Sequence, residues 1–237
     1  MKLSIIVPCY NEEKNIPLIL EKFHKVIDRD DIEVLLVNNG STDNSKDIIN
    51  QLLPSLPFVR VVTVENNQGY GYGITSGLKA AHGEFIGYTH ADMQTDPADV
   101  LKALEIIEKQ DNPENCYVKG DRKGRAIFDQ FFTMGMSAFE TIYLGKKLWD
   151  INAQPNIFHK SFFESLINIP KDFSLDLYFL YTAQKQGLKV IRFDVIFPER
   201  LHGESSWNTG LSSKWKFIKR TFDFSFKLKR SYNLWNI

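Results

Sequence analysis

The chain has 237 residues, enough for one large domain or a domain with a tail, and its 43% apolar content suffices for a sizeable core. Lysine and arginine total 29 and aspartate and glutamate total 29, so no global field favours nucleic acid or any other polyanion. The two cysteines, Cys9 and Cys116, stand outside any metal-type spacing and suit a reducing compartment.

The first run, KLSIIVP, predicts a buried strand, and its apolar stretch LSIIV is too short before Pro8 for a secretory leader. EKNIPLILEKFHKVI has the spacing of an amphipathic helix, and IEVLLVNNG that of a second strand. STDNSKDIINQLL predicts a helix with Ser41, Thr42 or Asp43 as N-cap. VRVVTVE follows as a third strand, GYGITSGLKAAHG as a helix closed by Gly83, and EFIGYTH as a fourth strand. Strand and helix alternating at this spacing imply a parallel sheet with helices on both faces. Ligands of such sheets bind beyond the carboxyl ends of the strands, which sets PCYNEE, VNNGSTD and THADMQTDP along one edge.

The second half is less regular. DPADVLKALEIIEKQ predicts a helix with Asp96 as its cap before Pro97, and CYVKGDRKGR a strand running into a basic loop. FFTMGMSAFETIYLG and FSLDLYFLYTAQKQG are apolar helices, and KVIRFDVIFPERLHGESSWNTG is a strand leading into a polar loop. The segment SKWKFIKRTFDFSFKLKR gathers Lys216, Lys219, Arg220, Lys227 and Arg230 on one helical face, opposite Trp215, Ile218, Phe222, Phe224, Phe226 and Leu228. That pattern suits a helix lying on an anionic membrane, and equally one docked on the domain or on a second subunit. No stretch approaches the roughly 20 apolar residues of a membrane span, so a cytoplasmic location is expected, with peripheral contact at the inner face of the cell membrane.

SIIVPCYNEEKNIP, VLLVNNGSTDNS, NNQGYGYGITSGLKAAHGEFIGYTHADMQTDP and ERLHGESSW occur in that order between Ser4 and Trp207. Together they resemble family 2 glycosyltransferases, most closely the dolichyl-phosphate mannose synthase-like branch. The resemblance implies a GT-A fold over residues 1–212, a Rossmann-like, mostly parallel α/β sheet, followed by a basic amphipathic tail over 213–237. It also implies a nucleotide-diphosphate sugar donor, a divalent ion (Mg2+ or Mn2+) and inversion at the anomeric carbon.

Breaking a sugar–phosphate bond leaves a diphosphate with added negative charge, which a metal ion and cationic side chains must stabilise. Hard divalent ions take carboxylate, carboxamide and water oxygens, and the resemblance assigns Asp92 and Gln94 to the metal. His90 stands where relatives often carry Asp; a donor contact, a structural role and metal ligation are all open to it, and Ala91 lines the donor site beside it. Pro8, Tyr10, Glu12 and Asn39 are expected to build the nucleotide pocket. Asn39 replaces an Asp that meets a base N–H in relatives; its carbonyl suits UDP or GDP, while its NH2 would suit a cytidine-linked donor. The GYGYG run lacks the dinucleotide fingerprint, and Gly69 to Gly77 are instead expected to let a helix N-terminus pass close to the donor.

Arg122, or Arg125 by a shift of register, and Arg200 are expected on donor and acceptor phosphates, while Ser206 stands where lipid-phosphate relatives often have Lys. A phosphate acceptor needs no base; a sugar hydroxyl does, and Asp150 and Asp176 are the candidates. The expected protein is an inverting glycosyltransferase of surface glycan biosynthesis, acting on a polyprenyl phosphate or on a lipid-linked or sugar hydroxyl. The alternative is a nucleotide-sugar-binding protein without turnover, and a homo-oligomer is compatible with either.

Overall fold

The computed structural model describes the backbone of residues 1–124, 127–198 and 211–234, and the side chains of 1–124, 134–198 and 218–231. The first half alternates as its sequence predicts: β1 (Leu3–Cys9), α1 (Ile16–Val26), β2 (Ile32–Asn39), α2 (Ser45–Leu52), β3 (Val59–Val64), α3 (Tyr70–Ala80) and β4 (Phe85–Tyr88). Then come α4 (Pro97–Glu108), β5 (Cys116–Lys123), α5 (Ile127–Leu144), β6 (Asn156–His159), α6 (Lys160–Glu164), α7 (Leu175–Lys185), β7 (Lys189–Ile196) and α8 (Leu211–Leu234).

The strands form one seven-stranded sheet in the order β3-β2-β1-β4-β6-β5-β7. Only β6 runs against its neighbours, pairing antiparallel with both β4 and β5. The central strands β1, β2 and β4 are buried on both faces and therefore read as continuous apolar runs rather than alternating ones. Leu3, Ile5, Val7, Val34 and Leu36 pack under α1 and α4 on one face, while Ile6, Leu35, Val37, Tyr88, Tyr117 and Phe158 pack under α3 and α7 on the other.

Asp96 caps α4 as expected, its Oδ1 accepting from Ala98 N at 2.9 Å. The start of α2 differs from expectation: its N-cap is Asn44. The carboxylate of Asp43 instead ties two loops together, accepting from Ser45 N at 3.0 Å and Glu13 N at 3.1 Å. Gly69 and Gly71 also serve packing within the chain. A Cβ at Gly69 would come within 2.5 Å of Lys171 O, and one at Gly71 within 2.4 Å of Pro170 O. The close approach at the start of α3 is thus made by the backbone of residues 170–172, which also accepts from Tyr72 N at 3.0 Å.

The basic tail forms α8 and lies on α5. Phe222 meets Phe139 at 4.1 Å, Phe226 meets Tyr143 at 4.9 Å, and Leu228 is buried. Ser225 Oγ reaches both carboxylate oxygens of the buried Glu140 at 2.7 Å. No helix among the described residues is long and apolar enough to cross a membrane.

Candidate active site

Parallel pairing of β1, β2 and β4 brings their carboxyl ends to one edge, and the loops that follow are laced to each other. Asn11 Oδ1 accepts from Thr42 N at 2.8 Å, Asn11 N donates to Ser41 Oγ at 3.1 Å, and Glu12 N donates to Ser45 Oγ at 3.0 Å. Glu12 also holds Asn15 Nδ2 at 2.6 Å. Tyr10 projects from this rim with 47% of its surface exposed, free to stack on a planar ring, and Pro8 lies half-buried behind it.

Asn39 ends β2 and is buried. Its Nδ2 donates to Gly69 O at 3.1 Å, which fixes the amide orientation because a carbonyl only accepts. Its Oδ1 is buried with no hydrogen-bond partner. A buried acceptor left unfilled is expensive, and a ligand N–H is what it lacks.

At the exit of β4 the chain bends sharply. Met93 takes a left-handed backbone, φ +64°, and Asp92 Oδ1 accepts from Gln94 N at 3.1 Å across the bend. Asp92, Ala91 and Met93 are buried, His90 and Gln94 half-buried. Gln94 reaches across to β7's continuation, donating from Nε2 to Pro198 O at 3.1 Å. No group of three His, Cys, Asp or Glu side chains among the described residues could hold a metal ion by itself. A divalent ion that keeps substrate phosphates and waters needs only one or two protein carboxylates, so Asp92 with Gln94 fits an ion that arrives with a diphosphate.

The two candidate bases separate clearly. Asp150 is buried against Arg122, accepting from its backbone N at 2.9 Å, from Nε at 2.9 Å and from Nη2. Burial raises its carboxyl, but the Arg122 hydrogen bonds outweigh burial and hold it below the usual carboxylate range. Asp150 and Arg122 thus form a buried ion pair. The sequence hid this because the partners lie 28 residues apart.

Asp176 stands in the first turn of α7, fully enclosed. Its Oδ1 accepts from Tyr88 OH at 2.8 Å, and Tyr70 OH stands near it, accepting from Gln154 Nε2 at 2.6 Å. Burial pushes its carboxyl up, with Lys119, Tyr88, His90 and Tyr70 opposing that shift. Asp176 is thus an enclosed carboxyl whose proton affinity burial raises. Gln154, which no sequence signal singled out, lies alongside with its own Oε1 buried and unpartnered.

Arg125, Arg200 and the ERLHGESSW segment lie outside the described residues, as do the side chains of Trp215 and Lys216. Behind the site, a groove of about 320 Å³ separates α8 from the loop before α7, with Lys219, Arg220 and Lys227 facing Asp172 and Asp223. It connects inward through Arg220 over Phe173 at 5.2 Å and Phe173 stacked on Tyr70 at 4.8 Å.

Comparison with known proteins identifies the family and the fold. Residues 4–167 match the sequence model of Glycosyl transferase family 2. The undecaprenyl-phosphate 4-deoxy-4-formamido-L-arabinose transferase of Photorhabdus laumondii is 24% identical over 214 residues, 87% of this chain and 63% of that protein. An uncharacterized glycosyltransferase of Bacillus subtilis, YkcC, is 36% identical over 132 residues, 54% of this chain and 40% of that protein. The chain thus spans less than two thirds of the length of these curated relatives. Among solved structures, glucosyl-3-phosphoglycerate synthase of Mycobacterium tuberculosis with Mn2+, UDP-glucose and phosphoglyceric acid superposes with a TM-score of 0.75 at 17% identity, covering 96% of this chain and 79% of that one. TarS of S. aureus superposes at 0.61 with 22% identity, covering 84% of this chain and 59% of that one. At such identities the likeness is one of fold, and the fold is GT-A, as expected from the sequence.

Proposed function

The chain belongs to glycosyl transferase family 2, and we propose that it moves a sugar from a nucleoside-diphosphate donor to an acceptor hydroxyl, inverting the anomeric carbon. The observation that carries this reading is Asp176: a buried carboxyl with a raised proton affinity, held by the Tyr88 hydroxyl beneath the β4 exit. As the acceptor oxygen bonds to the anomeric carbon, its proton passes to Asp176. The bond from that carbon to the donor phosphate breaks, and its electron pair leaves on the diphosphate. Asp150 is the weaker candidate, because Arg122 occupies its oxygens and lowers its proton affinity.

The donor base is expected beside Asn39 and Tyr10. The unfilled Oδ1 of Asn39 favours a base that offers a ring N–H, so uridine or guanosine rather than cytidine. Asp92 and Gln94 would hold Mg2+ or Mn2+ together with the diphosphate, and the ion would neutralise charge on the leaving group. The exposed cations of α8 beside Phe226 and Ile142 suit peripheral contact with an anionic bilayer, so the acceptor is expected on a lipid-linked glycan.

A second reading takes a polyprenyl phosphate as acceptor. It is favoured by the cationic groove along α8 and by the activity named for the Photorhabdus laumondii relative. Asp176→Asn separates the two. A hydroxyl acceptor loses its base, so transfer should fall by about a hundredfold or more while donor affinity is kept. A phosphate acceptor is already an oxyanion, and transfer at or near the wild-type rate would overturn the hydroxyl reading. Binding without turnover in the wild-type protein would leave only a nucleotide-sugar-binding role.

A further inference from the structure

Lys119 lies at the middle of β5, fully buried, where an ammonium is costly unless its charge is answered. Its Nζ donates to Ala153 O and, at 3.0 Å, to Asn156 Oδ1. Both partners are neutral, so they satisfy hydrogen bonds and leave the charge uncompensated.

The strand register shows where the compensation lies. Tyr88 on β4 pairs with Asn156 on β6, Asn156 pairs with Lys119 on β5, and Lys119 pairs with Arg192 on β7. Partners in register share a face, so these four side chains form one polar row across four strands. At one end of the row Tyr88 OH donates to Asp176. At the other end Arg192 donates to Trp149 O and, at 3.5 Å, to Gly120 O.

The charged groups facing Lys119 are Asp176, Asp150, Arg122 and Arg192, with Tyr117 on its own strand face. Asp150 is already claimed by three hydrogen bonds from Arg122. Arg192 repels the ammonium. Asp176 is the carboxylate that remains, and the groups facing it are Lys119, Tyr88, Tyr70 and His90. Burial pushes the Lys119 ammonium down to about 7, with Asp176 the largest influence in the other direction.

We propose that Lys119 is a positioning residue for transfer, its buried ammonium holding Asp176 as the carboxylate that receives the acceptor's proton. The proposal rests on Asp176 being that base. Lys119 itself touches no reacting atom; it acts through the row and through its charge. A lysine kept only for packing would leave the ionisation of Asp176 unmoved when replaced by an apolar chain of similar length.

The test is Lys119→Met in the full chain, followed by carboxyl-carbon NMR of Asp176 against pH and by the pH profile of kcat/KM. Loss of an opposite charge should move the ionisation of Asp176 upward by about one pH unit or more, and the acid limb of the profile with it. Donor affinity should stay unchanged, and Lys119→Arg should bring the profile back toward wild type. An unmoved Asp176 titration in folded Lys119→Met overturns the proposal. A moved titration with an unmoved profile also overturns it, and places the fault in Asp176 as base, where Asp176→Asn would retain transfer. If Lys119→Met does not fold, the reciprocal measurement uses Asp176→Asn and lysine side-chain NMR. There Lys119 should titrate lower than in the wild type, and an unchanged value would overturn the pairing.

Discussion

Asn39 shows where a single side chain's chemistry is legible and where it is not. Its amide both donates and accepts, so the sequence leaves uridine, guanosine and cytidine all open. What distinguishes them is Gly69 O, 30 residues further on, which takes the donor half and leaves Oδ1 as the half without a partner. UDP or GDP should accordingly bind at least about tenfold more tightly than CDP, because cytosine N3 would set an acceptor against an acceptor. Calorimetry with the three diphosphates and Mn2+ reads this directly, and equal affinities would remove Asn39 from the base contact. The same limit applies to the two candidate bases. Asp150 and Asp176 are indistinguishable as letters, and only the fold brings Arg122 to one and Tyr88 to the other.

At the level of elements, the long periodic segments were readable and the short ones were not. The alternation from β1 to β4 follows from apolar runs of clear period, and so does the edge that gathers the loops. β6 is four residues long, too short for a period to emerge from NIFH, although it supplies Asn156 to the polar row. The tail's helical wheel was legible, but not its partner. The stripe that docks on α5 is centred on Ser225 and Leu228, with Glu140 opposite. Burial pushes the Glu140 carboxyl up to about 7, the Ser225 hydrogen bonds opposing this only in part. A carboxyl whose folded pKa exceeds its unfolded value binds more protons when folded, so its effect is to lower stability as pH rises between the two values. The loss should accumulate from about pH 4.5 to about pH 7 and level off above. Glu140→Gln keeps a side chain that can bond Ser225 and removes the ionisation. Its melting temperature should exceed that of the wild type at pH 8 by several degrees, with the gap closing as pH falls toward 5. A gap that does not change with pH would mean that Glu140 does not titrate at this interface.

For the whole molecule, the arrangement sets the edge proposed to take the nucleotide on one side of the sheet and a cationic, partly apolar surface along α8 on another. Lys219, Lys227 and Arg230 are exposed, and beside them Phe226 is half-exposed and Ile142 on α5 is 83% exposed. Deleting α8 would test this surface poorly, because its inner stripe covers Phe139, Glu140 and Tyr143, and their uncovering should itself lower the melting temperature. Replacing Lys219, Lys227 and Arg230 together by Glu spares the docking stripe of Phe222, Ser225 and Leu228, and alters the groove beside Asp172 as well as the outer face. Each basic side chain near an anionic surface contributes about 1 kcal/mol, so losing three should weaken partitioning roughly a hundredfold before the added repulsion counts. The wild-type chain should sediment with phosphatidylserine-containing vesicles, less so as salt rises, and the triple variant should stay in the supernatant while still folded. Unchanged sedimentation would end the membrane assignment for this face. An altered oligomeric mass in the variant would instead assign it to a second copy of the chain. Either failure would move the acceptor off the bilayer and leave a soluble glycan hydroxyl as the group presented to Asp176.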